Sequence, residues 1–183
     1  MKIMLDPGHG GQDSGAVGIG GMRECDSTLG LAQQLASLLT YNGHEVQMTR
    51  WSDITLTLQQ RCDIARQFNS GLFISLHCNA VDDPRANGYE VWTDPERDEA
   101  DELAGRVWYA MRDAFPTMKG RADFCDGDPD KESKFYVLVN THCPAVLIEF
   151  AFITNPEDAD RLQSAAWRNA AIAAVAKAVD EWY

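Results

Sequence analysis

Leu72-Phe-Ile-Ser-Leu-His77 is the stretch from which the fold is read. A strand that faces water on one side alternates apolar and polar residues, whereas a nearly unbroken apolar run of this length suits a strand buried on both faces. Two other stretches read the same way: Lys2 to Asp6, ended by the turn residues Pro7 and Gly8, and Val146 to Phe150. Around them runs helical periodicity. Leu31, Ala32, Leu35, Leu38 and Leu39 mark one amphipathic helix, and Leu58, Cys62 and Ala65 mark another over Leu56 to Phe68. Ala104, Val107 and Met111 mark a third over Asp98 to Phe115. A short helix is expected over Glu157 to Gln163, started by Asn155-Pro156, and a last one over Trp167 to Trp182. Buried strands alternating with helices predict an α/β protein with a single twisted, mostly parallel or mixed β-sheet and helices on both faces. At 183 residues, with no repeat or low-complexity tract, the expectation is one domain over 1–183.

The three runs share a second property. His9 lies just beyond the first, His77 ends the second, and Glu149 sits near the end of the third. In open α/β sheets ligands bind outside the carboxyl ends of the strands, so these side chains are expected to converge there. Glu24 follows a glycine-rich loop (Gly15, Gly18, Gly20, Gly21) able to fold back over the same end. A catalytic zinc takes three His or carboxylate ligands and leaves a position for water. Hydrolysis also needs a base that is not a ligand. Two histidines and two glutamates satisfy that requirement.

Several separated motifs, in order, carry a resemblance. LDPGHGGQDSGAVG (5–18), GMRE (21–24), GHEVQMTRWSDITLTLQQRCDIAR (43–66), LFISLHCNA (72–80), GYEVW (88–92) and PAVLIEFAFITNPEDADRL (144–162) make the chain similar, almost end to end, to the zinc-dependent N-acetylmuramoyl-L-alanine amidases of the Amidase_3 type. That family supplies the catalytic domain of many bacterial wall amidases and phage endolysins. The resemblance implies that His9, Glu24 and His77 bind zinc and that Glu149 is the catalytic glutamate. The implied reaction is hydrolysis of the amide between N-acetylmuramic acid and the L-alanine of the peptidoglycan stem peptide. The chain departs from the family pattern at Phe150 and Ala151, where a small or β-branched residue and a glycine are usual. Some relatives carry an autoinhibitory helical insertion after the second histidine motif. The short span from Asn79 to Gly88 leaves little room for one, so no obligatory activator is expected.

Three alternatives stand beside this reading: a zinc peptidase cutting within a wall peptide, a peptidoglycan-binding relative without catalysis, and, more remotely, a glycosidase. Glu149 weighs against the second, since a relative that had lost catalysis would be free to lose it. His142, which precedes Cys143-Pro144, is read as a side approach to the site at most. His44 is read as a turn residue. Glu90 is read as a solvated residue of an edge strand, with a place bordering the cleft as the alternative, and Lys119 to Lys134 as a surface loop with possible substrate contact.

Composition narrows the setting. A net charge of −12 argues against nucleic acid and anionic surfaces as partners. No apolar run of membrane-spanning length occurs. Met1-Lys2 leads directly into the first strand without a signal-peptide pattern, so synthesis in the cytoplasm and action on the wall after release are expected. No separate wall-binding domain is expected either. The five cysteines lack CxxC spacing and read as reduced thiols of a protein made in a reducing compartment.

Overall fold

The three apolar runs form the centre of one six-stranded sheet in the computed structural model, which describes residues 1–96 and 99–183, residue 99 by its backbone alone. The strands are β1 (Lys2–Pro7), β2 (Glu45–Met48), β3 (Leu72–Asn79), β4 (Glu90–Thr93), β5 (Lys131–Glu132) and β6 (Ala145–Phe152), in the order β2-β1-β3-β6-β4-β5. β2, β1, β3 and β6 run parallel; β4 is antiparallel to β6, and β5 parallel to β4. The helices are α1 (Glu24–Tyr41), α2 (Leu58–Phe68), α3 (Glu99–Ala114), α4 (Tyr136–Asn140), α5 (Pro156–Gln163) and α6 (Ala165–Trp182). The mixed α/β architecture expected from the sequence is the one found.

Helix ends follow local chemistry. α2 begins at Leu58 rather than Leu56 because Thr57 caps it, accepting from the Gln60 N–H while the Gln60 side chain accepts from the Thr57 N–H. Asn155 caps α5 by accepting from the Asp158 N–H, with Pro156 following. The expected start of the third helix at Asp98 lies outside the described residues.

The two faces of the sheet are covered unequally. Ile3, Leu5, Ile74, Leu76, Val146 and Ile148 point to one face, where α1, α3 and α6 build the larger core. Met4, Phe73 and Leu147 point to the other, where α2 and α4 cover them through Cys62, Ala65, Val137 and Leu138. α4 has only 5 residues and α2 only 11, against 18 for α1 and α6. The short pair shields the middle of its face and stops before the carboxyl ends of the strands. An open cleft results.

Two expectations need correction. Glu90 is not solvated on an edge: β5 continues the sheet beyond β4, and Glu90 is 3% exposed. The 119–134 segment is not wholly a surface loop, since it supplies β5, pairs Gly120 with Tyr89, and buries Asp130. Phe150 and Ala151, the departures from the family pattern, are fully buried in the larger core. They change the packing under the site, and neither side chain lines the cleft.

Candidate active site

Strand register builds the centre of the cleft. His77 on β3 is the direct partner of Glu149 on β6, which is the direct partner of Glu90 on β4. Residues in register on adjacent strands project to the same side, so the three form a row across the sheet with a spacing of about 4.8 Å per strand. One layer below, Asp6 on β1 pairs with Ser75 on β3.

His9 reaches this row from the loop after β1. Its backbone is left-handed, with φ of 60°, a conformation that needs external support in a residue with a Cβ. The support is a buried guanidinium: Arg61 donates to the carbonyls of Pro7 (2.8 Å) and His9 (2.8 Å) and to the Asp6 carboxylate (2.7 Å). Arg50 adds bonds to the carbonyls of Pro7 (3.0 Å) and Gly8 (2.9 Å). Thr49 and Ser75 complete the Asp6 shell at 2.6 and 2.9 Å. Gly8 is required for space, because a Cβ there would lie 2.3 Å from the His77 ring. The group that approaches this glycine is the second histidine.

Glu24 opens α1 and turns its carboxylate back between the histidines. Oε1 accepts from the Cys78 N–H (3.0 Å) and lies 3.0 Å from His77 Nδ1; Oε2 accepts from the Ala16 N–H (3.0 Å) and lies 3.2 Å from His9 Nε2. The imidazoles meet edge to face with centroids 5.1 Å apart. Ligand atoms of His9, Glu24 and His77 all lie within 4.8 Å of one another, so these three residues, far apart in sequence, are brought together as expected.

The charges of the three groups are coupled. The hydrogen bond to Glu24, opposed by burial and aided by Asp13, raises His9 to about 9. Burial pushes the Glu24 carboxyl up, but the bonds with His77 and His9 outweigh it and hold the group well below the usual carboxylate range. Burial works against protonation of His77, yet the Glu24 bond and the charge of Glu149 raise it. A carboxylate that stays ionised between two proton-seeking imidazoles is the donor set of a divalent metal with N and O ligands.

Glu149 differs from Glu24 in having no such partners. Its Oε2 is buried without a hydrogen bond, and burial, tempered by the charge of His77, pushes the carboxyl up to about 7. It is placed to take up or release a proton. A cleft of about 220 Å³ lies over the two histidines, lined by Gly8, His9, His77, Leu56, Leu58 and Val137 among others.

One residue was missed by sequence reasoning, and one was assigned mainly to a solvated edge. Asp13 accepts from or shares a proton with His9 Nδ1 at 2.8 Å, turning Nε2 toward Glu24. Its signal was available, since Asp13 is the sole acid between Gly10 and Gly21. Glu90 is the other: it holds Arg121 Nε (2.5 Å) and Lys131 Nζ (2.9 Å) on Oε1, with Asn79 Nδ2 (3.0 Å) and Trp92 Nε1 (3.2 Å) on Oε2. His142 does not approach the site. It is exposed before β6, at the strand end opposite Glu149. His44 lies in its turn as read, but buried and 2.9 Å from Asp180.

Comparison with known proteins agrees with this geometry. The family described as N-acetylmuramoyl-L-alanine amidase (Amidase_3) matches over residues 3–181. The chain is 33% identical over 181 residues to the N-acetylmuramoyl-L-alanine amidase LytC of Bacillus subtilis (strain 168), covering 99% of this chain and 35% of LytC. It is 28% identical over 218 residues to the N-acetylmuramoyl-L-alanine amidase AmiA of Escherichia coli (strain K12), covering 99% and 75% respectively. It therefore spans about a third of one relative and three quarters of the other. Among solved structures, the N-acetylmuramoyl-L-alanine amidase AmiC2 of Nostoc punctiforme matches with a TM-score of 0.89 at 33% identity, covering 100% of this chain and 96% of that one.

Proposed function

Because the chain belongs to the Amidase_3 family of N-acetylmuramoyl-L-alanine amidases, we propose that it hydrolyses the amide joining N-acetylmuramic acid to L-alanine in peptidoglycan, with zinc as its metal. His9, Glu24 and His77 would hold the ion. The chemistry that zinc supplies when bound is Lewis-acid polarisation of a carbonyl and of water. The chain's own contribution is the proton. Glu149 takes it from the attacking water and delivers it to the departing amine of L-alanine, so that glycan and free stem peptide are the products. Its burial suits the role, because a carboxyl raised toward neutrality can both accept and return a proton near pH 7. Asp13 fixes the His9 ring, and the row of β3, β6 and β4 sets Glu149 beside His77.

The observation that carries the reading is a buried, unpartnered Glu149 oxygen next to a three-residue donor set within 4.8 Å. The zinc peptidase alternative has the same metal chemistry, so the decisive experiment identifies the bond cut. Purified wall is treated with the protein with and without a chelator, metal content is measured, and the new termini are identified by mass spectrometry. Free L-alanine amino termini on intact stem peptides, lost with the chelator, are expected. Cleavage inside the peptide would reject the amidase in favour of the peptidase.

We also infer that the enzyme works as an endolysin: made in the cytoplasm, released, and acting on the wall without an activator. Five free cysteines suit a protein made in a reducing compartment. Residues 80–89, which join β3 to β4, contain no helix to cover the cleft. Purified protein alone should release stem peptides from wall; silence until a partner is added would overturn this.

A further inference from the structure

Arg121 has an arrangement that the reaction above does not use. Its Nε is committed to Glu90 at 2.5 Å, its guanidinium lies over the Phe152 ring with Cζ 5.2 Å from the centroid, and its backbone N–H is bonded to the Tyr89 carbonyl at 3.0 Å. Three attachments thus fix the fork in place. The two terminal nitrogens have no hydrogen-bond partner among the described residues, and the side chain is 30% exposed, whereas the Glu90 carboxylate that holds it is 4% exposed. An arginine positioned by Nε with Nη1 and Nη2 unpaired presents the edge that matches a carboxylate bidentately. Lys131 shares the same Glu90 oxygen at 2.9 Å, so two cations flank one anion. The exposed Asp123 feels the Lys131 charge and accepts from the Cys125 N–H, which leaves Arg121 as the less compensated cation.

Reach identifies the ligand, on the premise of the amidase reading. Glu90 is one strand from Glu149, about 4.8 Å, and a hydrogen bond of about 3 Å carries the line to the guanidinium. The guanidinium is then roughly 8 Å from the proton-transfer carboxylate, and a group bonded to its outer edge roughly 11 Å. The scissile nitrogen stands about 3 Å from that carboxylate when it takes the proton, and two extended residues span about 7 Å more. The second residue of a stem peptide is a glutamate joined to the next residue through its side-chain carboxyl, so its main-chain carboxyl is either free or amidated, two residues from the scissile nitrogen. We propose that Arg121 receives this free carboxylate and makes the enzyme discriminate against stems in which it is a carboxamide. An amide presents an N–H₂ where the fork requires an acceptor, and it carries no charge.

The test compares N-acetylmuramoyl-L-alanyl-γ-D-glutamyl-L-lysine with its isoglutamine counterpart as substrates of the metal-loaded protein. The carboxylate substrate should be favoured about tenfold in kcat/KM, the value of one charge-assisted contact at a half-open site, and mainly through KM. Arg121→Gln should bring it down to the level of the amide, and Arg121→Lys, which keeps the charge for Glu90 but not the fork, should fall between. In parallel, calorimetry on the Glu149→Gln protein measures binding of the two product peptides, L-alanyl-γ-D-glutamyl-L-lysine and its amide. If no muramoyl–alanine bond is cut, the amidase reading fails while the binding preference still decides the role of Arg121. Equal binding of the two peptides by the Glu149→Gln protein, or a preference that survives Arg121→Gln and Arg121→Lys, would overturn the proposal.

Discussion

Asp6 and Glu90 are both buried carboxylates on the same face of the sheet, one layer apart, and both are paired with arginine. Their partners differ. Arg61, whose side chain is 4% exposed, uses its remaining donors on the carbonyls of Pro7 and His9. Arg121 is bonded to Glu90 through Nε, and its outer nitrogens have no hydrogen-bond partner among the described residues. The same ion pair therefore does two jobs. A fully satisfied pair fastens the loop that carries His9, and an incompletely satisfied one keeps donors free for the proposed substrate contact.

The largest expected effect lies on the open side. Glu149→Gln should lower kcat by about 10² to 10⁴ while zinc content stays stoichiometric. Its stability to urea should not fall, since the carboxyl removed has a buried oxygen without a partner. Full turnover in this variant would remove the open side from the chemistry.

Next comes the closed side. Asp6→Ala leaves Arg61 buried against an empty position and should cost about 3–5 kcal/mol in denaturant unfolding. Glu90→Gln should cost only about 1 kcal/mol, because its half-exposed cations can turn to water, and its larger effect should be on KM. Equal destabilisation by the two would break the contrast between them.

Asp13→Asn tests whether the closed network alone orients His9. With Oδ1 held by the Gly15 N–H, the amide turns an N–H₂ toward Nδ1 in place of the anionic acceptor, which should weaken zinc affinity about 10- to 100-fold in a chelator competition, with unfolding little changed. An unchanged affinity would mean that the Arg61 clamp suffices.

The smallest effect concerns pH on the open side. Burial, eased by the Thr93 hydroxyl at 2.8 Å, raises Asp130 to about 7. The folded protein then holds a proton that the unfolded chain releases near pH 4, so stability is full below that pH and declines as pH rises toward 7. Asp130→Asn should flatten this decline, read as Tm followed against pH across the window. A decline of unchanged slope in the variant would place its origin elsewhere.

The parallel half of the sheet was legible because β1, β3 and β6 are buried on both faces and show it as unbroken apolar runs. His9, His77 and Glu149 were legible for the same reason, as polar residues at the ends of those runs. The antiparallel edge was not. Glu90 alternates with apolar neighbours as a solvent-facing residue would, and the cations that neutralise it come from 31 and 41 positions further along the chain. Register is the other hidden quantity: nothing in Val146 to Phe150 states that Glu149 falls opposite His77 rather than a residue away.

His9 in its left-handed conformation carries a final consequence, and it is kinetic. A non-glycine residue held there costs on the order of 1–3 kcal/mol, which the Arg61 and Arg50 bonds to the surrounding carbonyls offset in the protein alone. An arriving ion meets donors already in formation. Stripped enzyme should reload on mixing, in a single phase proportional to ion concentration, with no slow ordering of the loop behind it.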